Sequence, residues 1–373
     1  VATPNYQIWV ATSAYAKVQN LKTYQRLEYS QTLNGIGSAR LAMHPNDPKI
    51  ADCDIRASDG TERIRRLLVY RDGVLVFGGL VERVEWSIPD TAPREESWVM
   101  HAVDGGAYLS WRLVIPAAGQ DVYAVSDAAD DAMKAFVYNH AGAGAGTGRP
   151  FTDLSVAADA SAAATYSAEA RYEILLNVVN EIAAKSGVYW RMTPGASGHT
   201  FTTAYPLWGV DRTQGNGVNS ECIFTFDRRN FLSASWYDDR LSLANYIYVG
   251  GQGEGSDRTI VERSNATSIA ACYRRERFAD ARQMTLTASL QNRGDAALAE
   301  MATQKGLDAV PLSSTWKATS GTTWDLGDKV SVFLRPDYGG GWRDFSAEAV
   351  IKAIAVTVEP EAGETVRPEL AGV

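Results

Sequence analysis

The chain has 373 residues, 45% hydrophobic and 21% charged, enough to bury a sizeable core in a soluble globular protein of two to four domains. A formal net charge of −8 argues against a protein that grips DNA by neutralising phosphates, although an acidic lining lets DNA slide past without sticking. No apolar run approaches a membrane span and the first residues lack the basic start and apolar centre of a signal peptide, so neither export by that route nor stable membrane insertion is expected.

Tyr6 to Ala11 and Arg26 to Thr32 predict short strands, and Gly35, Gly37, Pro45 and Pro48 punctuate the stretch after them. Leu67 to Tyr70 and Val74 to Phe77 flank Arg71-Asp72-Gly73, where Asp-Gly supplies the positive φ angles of a tight hairpin turn. Leu80 to Ile88, a polar turn at Pro89 to Glu96 and a strand at Trp98 to Val103 come next, and together they suggest a small antiparallel barrel or sandwich.

From about Leu113 the sequence turns alanine-rich. Ser126 is placed to cap a helix whose Ala129, Met133, Phe136, Val137 and His140 recur at three and four, ending at Gly142. Ala141 to Gly148 is a glycine-rich loop without the Lys or Ser/Thr of a phosphate loop. A second helix carries the stripe Leu175, Val178, Val179 and Ile182 and stops at Gly187; Val188 to Met192 and Thr200 to Thr203 form a hairpin.

Strands resume at Ile223 to Phe226 and Phe231 to Trp236. Tyr246 to Val249 and Thr259 to Val261 predict a hairpin with a glycine-rich tip, whose Gly250, Gly251, Gly253 and Gly255 do not fit the GxGxxG spacing. Asp295 is placed to cap a short helix stopped by Gly306 and Pro311. Val330 to Leu334 and Phe345 to Val358, parted by a turn at Pro336 to Gly341, echo the strand, turn and returning strand of Leu67 to Ile88.

Chemistry-bearing patterns are sparse. Cys53, Cys222 and Cys272 suggest neither a disulfide framework nor a zinc site, and the histidines at 44, 101, 140 and 199 show no metal spacing. Asp130-Asp131, Glu95-Glu96 and Asp238-Asp239 are expected on solvated faces rather than across a sugar. Trp190, Trp208, Trp316, Trp324 and Trp342 offer aromatic faces for a glycan groove, though such residues more often pack cores. No catalytic, cofactor-binding or metal residue is assigned.

Four segments taken in order carry a resemblance: LLVYRDGVLVFGGLVERV (Leu67 to Val84); Tyr166 to Met192, with the helix RYEILLNVVNEIAAKSGVYWRM; Asn245 to Phe278, with its GQGEG turn and YRRERF; and DLGDKVSV (Asp325 to Val332). They resemble the tail hub, or tail-tip, proteins of long-tailed bacteriophages, the siphovirus tail protein family. The resemblance implies a β-rich α+β, multidomain chain of the baseplate-hub fold, with two similar antiparallel β-barrel-like domains and smaller α+β insertions. The expected domains are 1–112 (completed by 220–245), an α+β insert at 113–219, and 246–373 with a short helical insert near 280–312.

It also implies a non-enzymatic homotrimer without cofactors, assembled in the host cytoplasm and sited in the virion at the tail tip. Three copies of two similar domains match a sixfold tail tube to a threefold tip. The implied partners are the distal tail protein, the tape measure protein and a tail fibre or spike, with DNA passing through the lumen without specific binding. The chain ends soon after its last β module, so no appended hydrolase or sugar-binding domain is expected. Recognition is expected on loops: Gly250, Gly251, Gln252, Gly253, Glu254 and Gly255 at one tip, Gly144 and Gly146 in the loop Ala141 to Arg149, and Asp337, Tyr338 and Gly339 in the last turn. The alternative is a carbohydrate-binding or carbohydrate-cleaving protein that recognises a cell surface; a related hub of a contractile injection apparatus or domesticated tail is also compatible.

Overall fold

The computed structural model describes residues 4–88, 97–228, 230–311, 316, 323–335, 337–338, 341–342 and 345–371. The expected turn at Pro89 to Glu96 lies outside them. The chain opens with β1 (Tyr6–Thr12), β2 (Lys17–Asn20), β3 (Tyr24–Thr32), β4 (Ser38–Met43), the single turn α1 (Ile50–Cys53), β5 (Arg65–Arg71), β6 (Val74–Ser87) and β7 (Ser97–Asp104). Asp72 and Gly73 hold φ angles of +51° and +81°, the conformation that matches a two-residue turn to the twist of β5 and β6.

Next come α2 (Ala107–Ser110), β8 (Tyr123–Ala128), α3 (Ala129–His140), β9 (Leu154–Val156), β10 (Thr165–Ala170), α4 (Leu175–Ser186), β11 (Tyr189–Gly195) and β12 (Gly198–Ala204). The stripe of α4 is buried with α3 and the β11–β12 hairpin around Phe136, Trp190 and Phe201, and Gly187 closes α4 at a left-handed φ of +73°. The expected Ser126 cap is not formed. Ser126 lies in β8 and bonds Ser167 across to β10, and the strand runs directly into α3.

After these lie β13 (Ile223–Thr225), β14 (Phe231–Asp239), β15 (Tyr246–Gly250), β16 (Ile260–Ser264), α5 (Ala266–Cys272), β17 (Glu276–Asp280) and α6 (Thr287–Glu300). β15 and β16 make the expected hairpin, β17 adds to β15 in parallel, and α6 covers one face through Ile247, Val249, Met284, Leu290 and Ala297. α6 begins eight residues before Asp295, which therefore caps nothing. Gly294 in mid-helix lets α6 settle against Val249 and Arg263, where a Cβ would collide with both, and this packing overrides the weak helix propensity of glycine.

The chain closes with β18 (Gln304–Pro311), β19 (Lys329–Leu334), β20 (Asp337–Tyr338), β21 (Gly341–Trp342), β22 (Phe345–Glu359) and β23 (Gly363–Ala371). Gly306 and Pro311, expected as helix stops, lie in β18 instead. β22 is the seam of the molecule: its first half pairs with β19 and its second half with β3, while β23 runs along its other edge. A 13-stranded sheet results, in the order β14-β18-β23-β22-β3-β4-β7-β6-β5-β1-β2, with β19 and β13 branching from β22.

The sheet wraps one core that takes Ile8, Leu27, Leu41 and Met100 from the first half of the chain and Phe224, Trp324, Val332 and Ile351 from the second. The β-rich α+β class is as expected. The two expected β modules share this sheet and core, however, and among the described residues no run of strands closes into a barrel.

Candidate assembly surfaces and the joints behind them

The glycine-rich tip divides in two. Gly250 and Gly251 are buried, and close packing needs their missing side chains: a Cβ at Gly250 would lie 2.5 Å from the Phe278 ring and one at Gly251 2.7 Å from Leu290. Arg258 clamps them, donating from Nη2 to Gly250 O at 2.8 Å and from Nε to Gly251 O at 3.1 Å while pairing with Asp280. Gln252, Gly253, Glu254 and Gly255 form the exposed part, with Gly253 at a φ of +110° and Gly255 at +56°. In the second loop Gly144 rests on the Tyr138 ring, whereas Gly146 faces open space. Asp337 and Tyr338 pair with Trp342 and Gly341 as β20 and β21; their side chains, with Pro336 and Gly339, lie outside the described residues. The tip packs on the cluster under α6 that holds Val249 and Leu290, the loop on the cluster of α3 and α4 around Phe136, and β20–β21 comes after the large sheet's β19.

Behind these loops, ionic joints fix the units to one another, and sequence reasoning missed most of them. Between the sheet and the α3–α4 unit, Asp153 Oδ2 accepts from Arg66 Nη2 at 2.8 Å, Tyr108 OH at 2.6 Å and Tyr15 OH at 2.9 Å. His199 completes this cluster, with Nδ1 3.1 Å from Tyr15 OH and Nε2 2.8 Å from Gly78 O, and burial pushes its pKa down. Between α4 and α6, Glu181 pairs with Arg293, and Asp295 takes both Lys185 and Arg263. Glu169 on β10 accepts from Thr285 N–H and Leu286 N–H just ahead of α6.

The DLGDKVSV segment was the one legible signal. Buried Asp328 accepts Val210 N–H and Arg212 Nε, each at 2.8 Å, and so pins the chain that crosses back from β12. Gly327 sits at a φ of +83° with no room for a Cβ, which would lie 2.6 Å from Trp208 Cβ.

The remaining polar candidates have structural duties. Asp130 and Asp131 are not on a solvated face. They are 1% and 4% exposed at the start of α3, where they accept the N–H groups of Ala160, Ser161, Ala162 and Ala163 and share Lys134. Burial raises the Asp131 pKa, but the donors from Ala160, Ser161 and Lys134 outweigh it and hold this carboxyl well below the usual range. Glu95-Glu96 and the Asp238 side chain lie outside the described residues.

Trp190, Trp316 and Trp324 are buried and Trp208 is half-buried. These four therefore pack cores rather than line a groove, and the Trp342 side chain is not among those described. All three cysteines are buried and free. Among the described residues no group of three or more His, Cys, Asp or Glu side chains is placed to hold a metal ion.

This arrangement is the fold of phage tail proteins. The tail protein from Neisseria meningitidis MC58 matches with a TM-score of 0.57 and 15% identity, over 98% of this chain and 96% of that one. The 43 kDa tail protein of prophage MuSo2 from Shewanella oneidensis matches with a TM-score of 0.56 and 13% identity, over 98% of each chain. Prophage tail protein gp18 from Listeria monocytogenes EGD-e gives 0.54 and 13%, over 98% of this chain and 94% of that one. No curated protein matches in sequence. The chain belongs to the Siphovirus ReqiPepy6 Gp37-like protein family, whose model matches residues 5–370.

Proposed function

We propose that the protein is a structural component of the virion, the threefold hub at the distal end of a siphovirus tail. Family membership over nearly the whole chain is the observation that carries this. The hub domains are residues 1–112, completed by 220–245, and 246–373, with 113–219 as an insert. Two related domains in each of three copies give six similar positions to the tail tube and three to the tip. The ring contacts the distal tail protein, the tape measure protein and a fibre or spike, and closes the channel until DNA is ejected. The protein acts without catalysis, assembles in the host cytoplasm and contacts its neighbours through the Gln252–Gly255 tip, the Gly144–Gly146 loop and the Asp337–Gly339 turn.

The paired carboxylates at 130 and 131 favour this over a glycan-cleaving reading, because protein donors already occupy them. Immunogold labelling of virions with an antibody raised against the chain tests the placement. Gold at the tail end far from the capsid supports it; gold along the tube or on the capsid overturns it.

A further inference from the structure

A cavity of about 540 Å³ opens over β13 and β19, on the side away from the large core. The two strands run parallel, with Ile223 opposite Ser331 and Thr225 opposite Phe333. Phe224, Val330 and Val332 point into the core, so the alternation of the strands turns Ile223, Thr225, Ser331 and Phe333 the other way.

Both walls of the cavity are pinned by hydrogen bonds. On one side Gln214 N–H bonds Ser331 Oγ and Gly215 N–H bonds Glu221 Oε1, each at 2.9 Å. On the other, buried Asn230 spans the turn Phe226–Arg228, accepting Thr225 N–H at 3.0 Å and donating to Ile223 O at 2.6 Å. Asn230 thereby occupies the edge of β13 that faces away from β19, where another strand would otherwise add.

The lining combines three kinds of group. Two guanidiniums, Arg228 and Arg335, stand with one carboxylate, Asp227. Arg228 is exposed and makes no hydrogen bond or ion pair with any described residue. Phe333 offers a half-buried ring, and Gln214, Thr225 and Ser346 offer an amide and two hydroxyls.

We infer that this cavity binds an acidic sugar, one ring of a glycan that bears a phosphate or a carboxylate. Arg228 answers the anionic group, the Phe333 ring takes the apolar face of the sugar, and Gln214, Thr225, Ser346 and Asp227 meet its hydroxyls. A neutral sugar leaves the guanidinium unanswered, and inorganic phosphate leaves the ring bare. The cavity has the size of a site for one small ligand, which a sugar at the end of a glycan enters and a nucleic-acid duplex does not. One copy of the chain supplies every lining group, so this binding does not depend on the ring of three.

The test uses the full chain, titrated by ligand-observed NMR with the 1-phosphates and uronates of glucose, galactose and mannose, with the parent hexoses, and with a short oligothymidylate. At least one acidic sugar is expected to bind about tenfold tighter than its neutral parent. Arg228→Ala should bring the two level without lowering the thermal midpoint, because Arg228 ties down no described residue, and Phe333→Leu should weaken acid and parent alike. Tighter binding of the phosphates or of the uronates shows which anion the site takes. Absence of binding by every acidic sugar, equal binding by the parent hexoses, or a preference that survives Arg228→Ala would overturn the assignment. Oligothymidylate binding that is tighter than any sugar's and is lost in Arg228→Ala would make this a nucleic-acid site instead.

Discussion

Arg71 and Glu364, 293 residues apart in sequence, form a two-point ion pair, Nε to Oε2 at 2.8 Å and Nη2 to Oε1 at 3.1 Å. The side chains are 14% and 7% exposed, Tyr6 donates to the same carboxylate, and the guanidinium lies 4.7 Å over the Trp316 ring. Both ends of the chain are thereby tied across the common core.

Removing one partner strands a buried charge, which typically costs about 3–5 kcal/mol. Glu364→Ala should therefore destabilise the fold by about that much in denaturant unfolding, and the Arg71→Met/Glu364→Leu double variant by clearly less. A double-variant loss equal to the sum of the Arg71→Met and Glu364→Leu single losses would show that the pair is not coupled.

Gly327→Ala should cost at least about 1–3 kcal/mol from its backbone conformation alone, before the clash with Trp208. Gly146→Ala, at an open position without positive φ, should be close to neutral. Urea midpoints of the two variants check the contrast.

His140 is 2% exposed, and burial, with Arg149 adding repulsion, pushes its pKa down to about 4 from 6.5. The unfolded chain binds this proton first as pH falls, so stability is lost between about 6.5 and 4, by about 3 kcal/mol in all. Stability measured at pH 7.5 and 4.5 should show a smaller acid loss in His140→Phe than in the wild type.

Asp104 has the opposite sign. Burial pushes its carboxyl up to about 7 from 3.8, so the folded chain holds the proton more tightly and this group favours folding increasingly as pH falls through that window. Asp104→Asn should gain on the wild type above pH 7 and lose that advantage near pH 4.

Local signals were legible where a few adjacent residues decide the outcome. Asp72-Gly73 gives its turn, and the stripe of α4 with Gly187 gives that helix, because φ preference and periodicity act within one element. What escaped depends on distant partners. Asp295 is claimed by Lys185, 110 residues away, rather than by a helix end. Asp130 and Asp131 are buried because a loop some thirty residues downstream returns to their carboxylates. Gly250 and Gly251 belong to a tip by sequence but to a packed strand end in space, and only Arg258 and Leu290 show why. No local pattern reveals that β22 pairs with both β19 and β3, which is what merges the two expected modules.

Everything proposed for the tail tip depends on the threefold ring, and the mass of the purified assembly by light scattering, with negative-stain images of the same sample, decides whether that ring forms. A hub of three copies gives a particle of three times 40.5 kDa with a central hole. A single species of 40.5 kDa across the whole concentration range, with no rings, would contradict it.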